Sequence, residues 1–280
     1  MLFGGSRVDH PGGRPARCRG SHVAPAALIV GILLAACSTR GGTPEPASSQ
    51  GQDVLDLWRI LLAAGVALGV LVTGLVLWSV VRYRRPRGAE AGQLPKQVGA
   101  NIPIEVFYTV VPLVIVAVLF VLTLRTQERV TRLSDTPDLG VEVTGFQWGW
   151  RFRYPAQGVT VVGDANRPPT LVVPVDANVR LRLVAADVIH SFFVPSFLVK
   201  QDMIPGVENS LEVRPTETGR FTGVCAEFCG IDHWRMKFDV EVVTPEAFQA
   251  FVAQQQQAPG GPGPDATGPG EVGRQARVAR

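Results

Sequence analysis

Residues 225–236 read CAEFCGIDHWRM and place two thiols, Cys225 and Cys229, an imidazole, His233, and a thioether, Met236, in one short stretch. These are the soft and borderline donors that transition metals prefer. A further imidazole lies upstream at His190, in Asp187-Val-Ile-His-Ser-Phe, at the end of a strand-like run, Val179–Val184. The other two histidines, His10 and His22, fall in an N-terminal segment that reads as an export signal. Two thiolates, two imidazoles and a thioether favour copper among first-row metals. Two other readings stay open on these residues alone. An exported Cys-x3-Cys can be a disulfide, because that compartment is oxidising, and Cys2His2 is a legitimate tetrahedral zinc set. A disulfide explains neither histidine, and neither alternative explains Met236.

The elements that must position these side chains follow from composition. From Val141 onward, short runs rich in β-branched residues, among them Val141–Trp148, Leu171–Val175 and Phe238–Val243, are punctuated by Gly, Pro, Asp and Asn. That texture predicts an antiparallel β-sandwich or barrel over 141–245. A short helix is expected over 246–257, followed by a Gly- and Pro-rich tail, 258–280, read as disordered. Ahead of the β-domain, two apolar runs, about 57–81 and 104–124, are long enough to span a bilayer. The first runs into Arg82-Tyr-Arg-Arg-Pro-Arg87, which places that end in the cytoplasm by the positive-inside rule. The expected unit is a transmembrane hairpin over 56–125 with the β-domain outside the cytoplasmic membrane, joined to the N-terminus by a linker over 37–55. Arg14, Arg17 and Arg19 precede an apolar run, Ala26–Ala36, too short to cross a bilayer. It ends Leu-Ala-Ala-Cys37, which resembles a bacterial lipobox; residues 1–36 would be removed and Cys37 lipidated.

The 280-residue chain has a formal net charge of +3, but four of its 27 basic residues and one of its 24 acidic residues lie within 1–36. The remainder is neutral, which gives no support for nucleic-acid binding. No Cys-x-x-Cys-His occurs, so no c-type haem is fused to the chain. No cluster of catalytic acid, base and nucleophile is evident either.

Taken together, Cys-x-Glu-x-Cys-Gly-x-x-His-x-x-Met with the upstream Asp-Val-Ile-His-Ser-Phe resembles subunit II of the haem–copper cytochrome c oxidases. The resemblance extends over Leu57–Val243 and includes Ile104-Glu-Val-Phe-Tyr-Thr-Val-Val-Pro112, Gly145-Phe-Gln-Trp-Gly-Trp150 and Lys200-Gln-Asp-Met-Ile-Pro-Gly206. It implies a two-helix hairpin and an extracytoplasmic cupredoxin domain in the bacterial cytoplasmic membrane, within an aa3-type oxidase. It further implies a binuclear copper A centre of two copper ions. Cys225 and Cys229 would bridge both coppers, His190 and His233 would bind one each, Met236 would be a weak ligand, and the Glu227 backbone carbonyl another. Electrons would come from cytochrome c and go to haem a in subunit I, which also holds haem a3 and copper B, for oxygen reduction coupled to proton pumping. Subunit III, and a bc-type complex in a supercomplex with a soluble or tethered cytochrome, complete the implied partners.

The resemblance also gives single residues a role. Trp148 would be the electron-entry residue and Asp187 part of the docking face. The Glu227 carboxylate would help bind magnesium at the interface with subunit I, and Glu105 would stand at a proton-path entry. Gly149 stands where many relatives carry tyrosine, which thins the aromatic surface. A quinol oxidase subunit of the same fold normally lacks the ligands present here. An exported copper chaperone using the cysteine pair would not need the hairpin, and the copper A domain of nitrous oxide reductase has no such hairpin.

Overall fold

Ser48 sets where the first helix begins. In the computed structural model, which describes residues 42–84 and 97–257, its hydroxyl accepts the Gly51 N–H at 3.0 Å and its backbone is extended, the geometry of an N-cap. Helix α1 therefore spans Ser49–Arg82, eight residues earlier than the apolar run implied, and the expected linker over 37–55 overlaps its first turns. The reason is tertiary. Ala47, Ser48 and Leu55 are buried; Ala47 N–H donates to Ser196 O and Ser48 Oγ to Phe197 O. A polar, linker-like stretch is thus recruited into helix by packing against the β-domain.

Helix α2 spans Ile102–Thr131, past the expected end at 124. Asn101 caps its start, and the Glu105 carboxylate accepts the Asn101 N–H at 3.0 Å, closing the first turn. Its last turns are polar and held by Arg132–Glu128 at 3.1 Å and by Arg129–Asp53 of α1 at 3.2 Å. At 34 and 30 residues both helices exceed the roughly 20 that a hydrocarbon core requires. Their apolar stretches are exposed to the surroundings rather than packed inside the protein.

The β-domain is a sandwich of two five-stranded sheets with a cupredoxin-like arrangement. One sheet orders β3 (Val159–Asp164), β2 (Gly149–Tyr154), β1 (Leu139–Phe146), β5 (Val179–Ala185) and β8 (Asn209–Val213). The other orders β4 (Thr170–Pro174), β10 (Lys237–Val243), β9 (Gly219–Cys225), β6 (His190–Val194) and β7 (Val199–Met203). Pairing is antiparallel except for β1 with β5 and β4 with β10. Alternate residues of β10 and β5 face inward, as the two-residue strand period requires. Helix α3, Pro245–Gln257, lays Phe248 and Phe251 against Tyr154. The Tyr154 hydroxyl donates to Val172 O and accepts from Val172 N–H, both at 2.9 Å, stitching one sheet to the other. Burial pushes its pKa far up.

Phe238 is the hub of the core beneath the metal-ligand candidates, with ring centroids 4.9 Å from Trp150 and Phe192 and 5.6 Å from Phe152. Its cross-strand partner is Gly223, where a Cβ would meet the Phe238 ring at 2.1 Å. Gly223→Ala is therefore an overpacking substitution, expected to cost at least about 1–3 kcal/mol. It would show as an earlier thermal transition of the β-domain; an unshifted transition would mean that Phe238 turns aside freely.

The domain is tied to the end of α2 by Glu212, whose buried carboxylate accepts from Ser134 N–H and Oγ, each at 3.1 Å, and from Arg180 at 3.0 Å. Arg180 also donates to Ser134 O. The expected export signal, Cys37 and the 258–280 tail lie outside the described residues.

Candidate metal centre

Three strand ends converge at one pole of the sandwich. His190 opens β6 and is fully buried, Cys225 closes β9, and Met236 immediately precedes β10. Between Cys225 and Met236 the chain makes a loop whose neck is closed by Cys225 N–H donating to Met236 O at 3.0 Å. Ala226 N–H donates to Ser191 O at 3.1 Å, fastening the loop to β6. A single 3-10 turn, His233–Arg235, directs His233 back toward the cysteines. Arg235 anchors the outer arm by donating to Asn166 Oδ1 at 2.6 Å.

All six donors expected from the sequence meet here. Cys225 and Cys229 are free thiols with their sulfur atoms 3.8 Å apart. Two thiolates bound to one metal at about 2.3 Å with near-tetrahedral angles lie about 3.8 Å from each other. The remaining donors distribute along the sulfur pair. His190 Nδ1 lies 3.8 Å and the Glu227 carbonyl 3.2 Å from Cys225 Sγ. His233 Nδ1 and Met236 Sδ each lie 3.6 Å from Cys229 Sγ. His190, Cys225 and Cys229 bring their ligand atoms within 4.8 Å of one another. His190, Cys225, Cys229 and Met236 are buried, and this combination of soft and borderline donors fits copper.

Charge in the site is arranged for a cation. Burial opposes ionisation of Cys225, but hydrogen bonds from His190 and the Ser191 backbone outweigh it and bring the thiol down to about 6. Burial and the neighbouring Cys225 charge push Cys229 up to about 12. Two neighbouring thiolates repel one another, and a bound metal cation supplies the opposite charge that favours ionisation of both. Burial also works against a charged His190, yet the Asp187 carboxylate and Cys225 raise its pKa above the ordinary value.

The neighbours have distinct placements. Asp187 Oδ1 meets His190 Nε2 at 2.8 Å, which leaves Nδ1 directed at the sulfur pair; a carboxylate on the far nitrogen fixes a ligand histidine's orientation. Trp148 is half-buried, and its indole N–H donates to the Cys229 carbonyl at 3.2 Å. The Glu227 carboxylate points away from the sulfur atoms to Lys200 at 2.9 Å, and Lys200 also reaches Asp202 at 3.3 Å. Glu105 belongs to the first turn of α2, in a different part of the chain from the sulfur pair.

Two features escape sequence reasoning. Gln147, inside the quoted Gly-Phe-Gln-Trp run, donates from its side chain to the Cys229 carbonyl at 2.7 Å. Phe228, Ile231 and Trp234 stand 80%, 81% and 72% exposed on the ligand loop itself. The signal for these three was available: large apolar residues fill the spacer positions between ligands, where the strand core has no use for them.

Residues 165–243 match the family model described as cytochrome c oxidase subunit II, periplasmic domain. The chain is 41% identical over 268 residues to a probable cytochrome c oxidase subunit 2 of Streptomyces avermitilis, covering 80% of this chain and 83% of the relative. It is 32% identical over 271 residues to the cytochrome c oxidase subunit 2 of Mycobacterium tuberculosis, covering 76% and 74%. Among solved structures, the periplasmic domain of subunit II of cytochrome oxidase from Bradyrhizobium japonicum is 34% identical, with a TM-score of 0.41, over 45% of this chain and 98% of that one.

Proposed function

The chain belongs to the cytochrome c oxidase subunit II family, a component of haem–copper terminal oxidases, and from that premise we propose that its β-domain is the electron-entry module of the complex. The observation that carries the proposal is the convergence of two free thiols 3.8 Å apart with two imidazoles, a thioether and a carbonyl. Cys225 and Cys229 would hold two coppers between them, with His190, His233, Met236 and the Glu227 carbonyl completing the set. When bound, a copper pair held there would supply a one-electron couple suited to electron transfer between cytochrome c and haem a in subunit I.

The chain's own contribution is rigidity and access. Strands β6, β9 and β10 fix the ligand positions, so little rearrangement accompanies a change of charge. Asp187 holds His190 in one ring orientation, and burial of Cys225 and Cys229 keeps water from the sulfur atoms. Trp148, hydrogen-bonded to the backbone of Cys229, offers the route from the surface, and Asp187 contributes charge beside it. The two helices would cross the cytoplasmic membrane as a hairpin with the β-domain outside, and Cys37 would add a lipid anchor. The Glu227 carboxylate is proposed to reach a magnesium ion against subunit I by exchanging its Lys200 partner, and Glu105 to stand at a proton entry.

Long-range charge is expected to contribute little to docking, since residues 141–245 hold 12 acidic and 10 basic side chains. Cytochrome c oxidation by the purified oxidase tests both statements. Turnover that varies little with ionic strength is expected. A steep fall with salt would contradict the docking account, and absence of cytochrome c oxidation would contradict the function.

A further inference from the structure

Gln147 makes two contacts that copper binding by itself does not require. Its backbone N–H donates to Asp187 Oδ2 at 2.7 Å, and its side-chain Nε2 donates to the Cys229 carbonyl at 2.7 Å. Asp187 in turn holds His190 Nε2 at 2.8 Å. One residue thus reaches the partner of the upstream histidine and the backbone of the second cysteine, two ligands that are distant in sequence.

The Cys229 carbonyl is the meeting point. It accepts from Gln147 and, at 3.2 Å, from the Trp148 indole, which uses both of its lone-pair directions. Gly230 follows with φ of +123°, and a Cβ there would lie 3.0 Å from Trp148 Cζ2 and 3.1 Å from Gln147 Nε2. The two side chains therefore clasp the Cys229–Gly230 peptide with no room to spare. The amide donor is the shorter of the two, so it sets where the carbonyl points, and the indole follows.

We infer that Gln147 is a positioning residue for electron entry: it fixes the Cys229 carbonyl under the Trp148 indole and, through Asp187, joins that carbonyl to His190. This rests on the copper reading above. Without the amide donor, the carbonyl is free to turn toward water, and the indole loses its fixed relation to the Cys229 sulfur.

The test uses the assembled oxidase carrying Gln147→Leu or Gln147→Glu. Leu removes the donor without adding charge. Glu keeps the length and the backbone N–H but sets an acceptor against the carbonyl. Both variants are expected to retain copper and to show altered copper hyperfine couplings in EPR. Electron transfer from pre-bound cytochrome c should slow about tenfold, between the loss of one net hydrogen bond and a full 1 Å misplacement. KM for cytochrome c should stay unchanged. Native couplings and native intracomplex rates would overturn the inference, whether or not KM rises; a raised KM alone would make Gln147 a docking contact. Loss of copper from both variants would also overturn it, by making Gln147 a requirement for metal retention. A wild-type oxidase with no signal from an electron shared between two coppers would instead overturn the copper reading, so the two failures are distinguishable.

Discussion

Cys225→Ser is expected to remove the copper pair and with it cytochrome c oxidation by the complex. Serine matches the shape of cysteine, but its hydroxyl neither ionises in this range nor bridges soft metals. Burial works against ionisation of Cys225, but bonds from His190 and the Ser191 backbone draw its thiol below the ordinary value. Once it is gone, Cys229 has no second thiolate beside it and the donors along the pair no longer share an anchor. Losing an outer partner of a metal ligand costs roughly 10–100-fold in affinity or activity; losing a bridging ligand should cost more than the upper end of that range. The fold should survive, because Cys225 sits at the last residue of β9 and its backbone contacts to Met236 and from Ala226 to Ser191 are untouched. Copper analysis and cytochrome c oxidation of the purified variant give the answer. Retention of both would contradict the assignment of the sulfur pair.

Trp148→Leu is expected to leave copper in place while slowing electron entry. The indole packs on Gly230 and donates to the Cys229 carbonyl at 3.2 Å, so it joins the surface to the ligand backbone through one hydrogen bond. Leucine fills part of the space but has no donor and no π system. The intracomplex rate should fall by about a hundredfold, the scale on which misplacement of a reacting group acts. Copper content and the EPR signal should remain those of the unaltered protein. Laser-flash reduction of bound cytochrome c separates this step from docking. An unchanged intracomplex rate would show that electrons enter elsewhere, with the exposed Phe228, Ile231 and Trp234 the next surface to examine.

The five side-chain donors were legible in the sequence because soft and borderline donors are rare and this chain spaces them on one loop plus one strand end. The apolar runs and the alternating strands were legible for a similar reason, since each carries a strong local period. What was not legible depends on contacts distant in sequence. The early start of α1 follows from the bonds of Ala47 and Ser48 to Ser196 and Phe197 of the β-domain, while Ser48, Ser49 and Gln50 read locally as linker. Parallel pairing of β1 with β5 and of β4 with β10 leaves no mark on any single strand. Glu227 could be named as a carbonyl ligand by resemblance, but its side-chain pairing with Lys200 is a product of the β7 register. Gln147 is the sharpest case: a neutral residue beside a tryptophan has no distinctive pattern, and its importance lies in two acceptors contributed by residues 187 and 229.

Whether Cys225 and Cys229 hold a copper pair sharing one electron is decided by a difference measurement. Copper content and EPR of the oxidised, purified oxidase would be compared between the unaltered complex and the Cys225→Ser complex. The expected result is a loss of two coppers per subunit II together with the hyperfine pattern of one electron delocalised over two copper nuclei. Equal copper content in the two complexes, or a signal from a single isolated copper in the unaltered one, would contradict it.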